Sequence, residues 1–209
     1  MTKHLSHVER RRQIMDAARS SFVSSGYDHS RMNDIARQAG LSKGGVYFHF
    51  KSKRELFDAL VDREFELAME TLERITASEA PASAMLGQIA AYYLERFASK
   101  PDVTRFPVVV GEMAIRDEAL LERLRDLHLR FLKSLSDVIE RGTRDGEFRH
   151  VDPDVASLLL KALMDGLERQ YMLGNGNTFK LGDLVTAGLD LVMRGLGPNS
   201  QPHPKAPRC

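Results

Sequence analysis

Apolar residues return every three or four positions along almost the whole chain, and the stretches they form are bounded by helix start and stop residues. Ile14, Ala17, Ala18 and Phe22 make the first such stripe. Ser6 and Glu9 precede it at capping-box spacing, and the helix should stop near Ser25, with Gly26 as its left-handed cap. A short second helix is expected from Ser30, its N-cap, with Ile35 and Ala36 turned inward and Gly40 ending it. Leu41 leads into a third short helix. Ser52 and Glu55 repeat the capping spacing before a long amphipathic helix from Lys53 to about Ile75, with Leu56, Leu60, Phe65 and Leu72 inward. Further helices are expected over 82–98, 104–115, 117–141 and 179–195, and from Asp152-Pro153, an N-cap followed by proline at the first helical position, to about Met172. Alternation at period two is found nowhere, and no internal repeat is visible. The expected fold is all-α.

Composition narrows the class. Hydrophobic residues make up 43% and charged residues 28%, a globular balance. The one cysteine, Cys209, permits neither a disulfide framework nor a cysteine metal cluster within one chain, which fits a reducing cytoplasm. The start, MTKHLSHVERRR, lacks the apolar core of a signal peptide, and no segment approaches the roughly 20 apolar residues that span a membrane. The tail over 198–209, rich in proline, reads as disordered. The net charge of +1 hides an asymmetry. Residues 1–54 hold eleven Lys and Arg against four Asp and Glu, a net of +7; the remainder holds nineteen against twenty-five, a net of −6. A polyanion would be drawn to the first quarter and repelled by the rest.

Residues 30–49 fit a helix-turn-helix: two short helices and a tight turn, the second helix thin enough for a DNA major groove. Ala36 allows close helix approach, Gly40 suits the positive φ of the turn, and Leu41 plugs the corner. The second helix begins at Ser42 and carries Lys43, Gly44, Gly45, Tyr47 and His49. Two glycines weaken a helix by roughly 1 kcal/mol each relative to Ala. That cost makes sense where backbone must approach another surface closely. The alternative is an ordinary helical corner whose aromatics fill a core.

The string DIARQAGLSKGGVYFHFKSKRELF resembles the TetR-family signature. It carries Asp34-Ile35-Ala36, Ala39-Gly40, Ser42-Lys43-Gly44, Tyr47, His49-Phe50, Lys53 and Leu56-Phe57 at matching spacing. The resemblance implies a DNA-binding regulator of transcription with no cofactor. It places Ser30 and Arg31 at phosphates or the groove edge, and Ser42, Lys43, Gly44 and Gly45 where base edges are read. Tyr47 and His49 should anchor the DNA backbone, and Lys53 should take a phosphate. Phe48 departs from a pattern in which Tyr or His is frequent; against DNA it would meet a thymine methyl. Gly45 stands where many relatives carry a side chain, which leaves Lys43 to guanine as the main direct readout.

The resemblance also divides the chain into a reading segment, 1–52, and an effector-binding and dimerisation segment, 53–197. One reader covers a half-site, so a homodimer on a palindromic double-stranded operator is implied. Leu159, Leu163, Gly166 and Leu167 with Leu184, Gly188, Leu189 and Val192 are the interface candidates, two helices per chain forming a four-helix bundle. The alternative is that these faces close the chain's own core. A pocket for a small, largely apolar effector is expected among Met85, Ile89, Tyr92, Tyr93, Phe97, Met113, Phe131, Leu135 and Met164. The effector would release DNA by favouring a state with wrongly spaced readers, and repression is the family default. Two other readings stay open: a DNA-bound regulator without an effector, and an all-α lipid-type enzyme. The chain carries no nucleophile elbow, phosphate loop or HExxH motif.

Overall fold

The computed structural model describes residues 5–99, 101–174 and 180–198. They form nine α-helices and no strand: α1 (His7–His29), α2 (Met32–Gln38), α3 (Lys43–His49), α4 (Lys53–Thr76), α5 (Ala82–Ser99), α6 (Pro101–Ala114), α7 (Glu118–Arg144), α8 (Pro153–Met172) and α9 (Leu181–Leu196). From residue 199 on, the expected tail lies outside the described residues.

Two compact units divide the chain: Met1–Glu70 with Ser99–Leu127, and Thr71–Ala98 with His128–Cys209. The first unit is built on the α1 stripe. Ile14, Ala18 and Phe22 are fully buried together with Ile35, Val46, Phe50, Leu56 and Phe57, and Phe106, Val110, Ala114 and Leu120 from the later segment complete the same core. The Phe57 ring sits at its centre, edge-on to Tyr27 at 5.0 Å, Phe22 at 5.6 Å and Phe106 at 5.9 Å, spacings at which aromatic pairs attract beyond their buried area.

Both halves of the Ser6–Glu9 capping box are formed. Gly26, at φ 74 and ψ 163, breaks α1 where the sequence places a stop, and a short turn carries the helix on to His29. Charges tie α4 to α1. Arg19 and Glu64 are buried, with Nη1 of Arg19 2.7 Å from the carboxylate. Arg63 joins Glu64 at 3.0 Å and Asp16 at 2.8 Å, and Arg19 also reaches Asp16 at 3.2 Å. Farther along, Ser20 donates to Asp102 of α6, and Arg54 pairs with Asp58 and with Asp117, whose carboxylate caps α7 at the Leu120 N–H.

The second unit packs Leu72, Ile75, Met85, Ile89, Leu135, Ile139 and Phe148. Glu147 holds the start of α5, accepting from the N–H groups of Ala82 (2.7 Å) and Ser83 (3.1 Å) and from the Ser83 hydroxyl (2.6 Å). Burial works against its charge, but the Ser83 and Ala82 hydrogen bonds outweigh it and keep the carboxyl below its usual range. Asp152 caps α8 at the N–H groups of Asp154 and Val155, with Pro153 in the first turn. Helix α6 begins at Pro101, three residues before the expected start, and accommodates Pro107 within it. Compactness divides the chain after residues 70, 98 and 127.

Candidate nucleic-acid interface

The turn between α2 and α3 is a complete Schellman arrangement. Gly40 stands at φ 65, the Leu41 N–H donates to the Ala36 carbonyl (2.9 Å) and the Gly40 N–H to that of Arg37 (3.0 Å). This fixes the angle at which α3 leaves. Ser42 then caps α3 by accepting from the Gly45 N–H at 3.1 Å. Val46 is fully buried and anchors the seven-residue helix to the core, so Lys43, Gly44, Tyr47 and Phe48 are left facing outward. Phe48 is 71% exposed, which leaves its ring free to meet another surface. At the far end the Arg11 guanidinium lies 4.1 Å over the buried Phe50 ring and donates to the His49 carbonyl at 2.7 Å.

Gly44 and Gly45 have helical φ, and the fold leaves room at both. A Cβ on Gly44 would meet only the Ser42 Oγ at 4.0 Å; one on Gly45 would meet the same atom at 3.4 Å and Leu41 Cβ at 3.8 Å, ordinary contacts. Nothing inside the chain requires either glycine. Replacing Gly45 by Ala is expected to raise stability by about 1 kcal/mol and to weaken DNA binding. Thermal unfolding and a binding titration read the two signs, and equal or tighter DNA binding in Gly45→Ala would remove the close-approach role.

Two expected phosphate contacts are placed otherwise. Ser30 is not the N-cap of α2; Arg31 holds that position without a side-chain bond. Ser30 closes α1 instead, buried, with its hydroxyl directed at the carbonyls of Gly26 (2.8 Å) and Ser21 (3.0 Å) and accepting from the Ser21 hydroxyl. Lys53 is turned inward as well. Its ammonium donates to the carbonyls of Tyr27 (2.8 Å), Ser30 (3.1 Å) and Asp28 (3.2 Å) and lies 4.3 Å from the Tyr27 ring centre. A lysine has three donors, and these carbonyls use all of them. Arg31 is exposed at the start of α2 and stays accessible.

In the second unit, α5, α7, α8 and α9 line a partly open apolar cavity of about 60 Å³. Ile89, Tyr93, Leu135, Met164, Leu167 and Leu189 are among its walls, and the Tyr93 phenol is the one polar side chain among them. The Tyr93 ring is held edge-on by Tyr92 (5.6 Å) and Phe131 (6.0 Å), and burial raises its pKa. One turn beyond Met164 on α8, burial reinforced by the Asp165 charge lifts the Glu168 carboxyl to about 7.

Comparison with known proteins decides the family. Residues 14–60 match "Bacterial regulatory proteins, tetR family", and residues 82–196, more than half of the chain, match "BetI-type transcriptional repressor, C-terminal". The chain belongs to the TetR family. It is a DNA-binding regulator of transcription, and the α2–turn–α3 unit is its helix-turn-helix. Among relatives, the HTH-type transcriptional regulator TtgR of Pseudomonas putida is 28% identical over 88% of this chain and 91% of its own. A regulator from Saccharomonospora viridis solved with choline has a TM-score of 0.80 at 23% identity, covering 92% of this chain and all of the other. FadR from Bacillus subtilis, solved with stearoyl-CoA, has a TM-score of 0.72 at 22% identity, covering 88% of this chain and 98% of the other. No described helix is long and apolar enough to cross a membrane.

Within this TetR-family chain the expected pocket residues separate. Ile89, Tyr93, Leu135 and Met164 line the cavity. Met85 is fully buried but does not line it, and Tyr92 and Phe131 pack edge-on against Tyr93 without lining it themselves. The side chain of Phe97 lies outside the described residues. Met113 does not belong with them: it packs against the core of the first unit, beside Tyr27 and Val109. Of the interface candidates, Leu163, Leu167, Gly188, Leu189 and Val192 line the same cavity, where a Cβ on Gly188 would touch Leu167 at 3.6 Å and Leu163 at 3.8 Å. Leu184 is half-buried, whereas Leu159, at 65%, and Gly166 are exposed. Leu86, Ala90, Leu160 and Val185, which were not among the expected pocket or interface residues, complete the cavity and lie within one turn of residues that were. Sequence reading missed Arg11, whose helical spacing gives no hint of a partner 38 residues away.

Proposed function

We propose that the chain is a repressor that binds a palindromic operator as a homodimer and is released by a small, largely apolar effector in the cavity of its second unit. The observation that carries the reading is α3: anchored by Val46, capped by Ser42, and presenting Lys43, two sterically unneeded glycines, Tyr47 and Phe48 outward. The reading segment is 1–52 and the effector and dimerisation segment 53–197; the protein acts in the cytoplasm and catalyses no reaction. Val155, Leu158, Leu159 and Leu191, all exposed, offer a second copy an apolar face on α8 and α9. The structural neighbours carry ligands as unlike as choline and stearoyl-CoA, so the effector class is argued from this chain's own walls, apolar with one phenol. The difference in effector affinity between the DNA-binding state and the released state sets how far DNA binding weakens.

Selection from random-sequence DNA tests this. A palindrome with half-sites about 34 Å apart, or a multiple of that, is expected. Lys43→Ala should weaken binding and reduce the salt slope by about 1, as loss of a phosphate or base cation does. Lys53→Ala should weaken binding with the salt slope unchanged, because its charge is spent on α1 carbonyls. Failure to enrich any sequence would sink the reading. A regulator that keeps its operator in the presence of every apolar compound that binds the cavity would favour the effector-free alternative.

A further inference from the structure

The first residue of α1 stands beside the last residue of α3. The ring centroids of His7 and His49 are 4.6 Å apart, and Phe48 closes the group, 5.2 Å from His49 and 6.4 Å from His7, edge-on to both. His7 is exposed and His49 half-buried. The Nδ1 of His49 is buried without a hydrogen-bond partner. The charged groups acting on His49 come from α1 and are His7, Arg11 and Arg10. The acidic groups near this corner are engaged elsewhere: Glu9 accepts from the Ser6 N–H and Glu55 of α4 from the Lys51 N–H. Lys51, just past α3, adds a further cation and directs its ammonium toward the Tyr47 carbonyl.

We propose that His7 is a further DNA-binding residue of the reading surface, and that docking on the phosphate backbone draws a proton from solvent onto the His7–His49 pair. The inference rests on the helix-turn-helix as DNA reader but on neither the palindrome nor the effector. In the free chain, burial first and then the positive field of His7, Arg11 and Arg10 lower the His49 pKa, which disfavours the charged form of its ring. A phosphate at this corner reverses the sign of the local field. The imidazolium facing the backbone then forms a charge-assisted hydrogen bond to a phosphate oxygen. DNA-bound protein thus holds more protons than free protein, and affinity rises as pH falls through the histidine range.

The probe is a mixed-sequence DNA duplex at low salt, since phosphate contact needs no particular base sequence. Between about pH 7.5 and about pH 6 the wild-type affinity should rise, by up to about tenfold per pH unit for each proton taken up. Calorimetry in buffers of different ionisation enthalpy should register the uptake directly. His7→Gln should remove part of this slope, and His7→Gln with His49→Gln nearly all of it, with helical content by circular dichroism retained. His7, exposed at a helix start, tests the idea even if His49→Gln unfolds. A pH slope and proton uptake unchanged in His7→Gln would overturn the proposal. That result would leave the helix-turn-helix reading intact, which Lys43→Ala tests separately.

Discussion

Replacing Glu64 by Gln is expected to lower stability by about 3 kcal/mol or more, the range found when one partner of a buried ion pair is removed. Glu64 is 8% exposed and Arg19 5%, so neither charge can turn to water when the other is lost. Glu64 accepts from Arg19 at 2.7 Å and from Arg63 at 3.0 Å. Without its charge, two guanidinium groups share the single, more exposed carboxylate of Asp16. The Arg19 Nε and Arg63 Nε are already buried without partners, which leaves little to redistribute. Urea denaturation followed by circular dichroism suits a chain with no tryptophan. The double variant Arg19→Met/Glu64→Leu should recover much of the loss, because well-packed apolar side chains replace a buried pair at little cost. A loss under about 1 kcal/mol in Glu64→Gln would mean that the pair behaves as a solvated surface bridge.

Replacing Gly142 by Ala is expected to be comparably severe, although it adds one methyl group. A Cβ there would lie 2.3 Å from two ring carbons of Phe148 and 2.8 Å from the Ala82 Cβ. Phe148 is buried, and its N–H is tied to the Gly142 carbonyl at 3.0 Å, so the ring cannot swing away while the turn holds. Overpacking of this kind costs typically about 1–3 kcal/mol and sometimes more. The neighbouring Glu147, which holds the start of α5, moves with Phe148, and this places the expected loss at the upper end. A double-mutant cycle separates the clash from general damage: Phe148→Ala should cost far less in the Gly142→Ala chain than in the wild type. Additive losses would show that Phe148 is not the group displaced.

Much of this architecture is legible in the sequence because caps and apolar spacing are local. Ser6 with Glu9, Ser42, Asp117 and Asp152 all cap where their spacing puts them, and Gly26 and Gly40 both take the positive φ expected of them. Ser30 and Lys53 show the limit. Each has the right type and register for its expected role, yet each is turned inward by partners 4 to 26 residues away that no spacing rule weighs. Met113 failed for a similar reason. A methionine stripe on a helix says that the residue is buried but not against which core, and α6 joins the core of α1 rather than that of α5. The cavity was half legible: the apolar faces of α8 and α9 were visible as stripes, but spacing cannot tell a face that meets its own chain from one that meets a second copy.

The core around Phe57 draws Phe106, Val110, Ala114 and Leu120 from a segment that begins about thirty residues after the first part of the unit ends. On the ribosome this imposes a delay. When Glu70 has been added the helix-turn-helix is fully synthesised, but its core still lacks the side of the wall that residues 99–127 supply. At about 5–20 residues per second, several seconds pass before Leu127 follows. A nascent chain arrested between these points would present the apolar flank of α1 and α4 to chaperones, and a gene fragment cut at either residue 52 or residue 70 would encode a reader without its lining. Grafting this reader with its lining onto another scaffold therefore requires three crossover points, after residues 70, 98 and 127, rather than one.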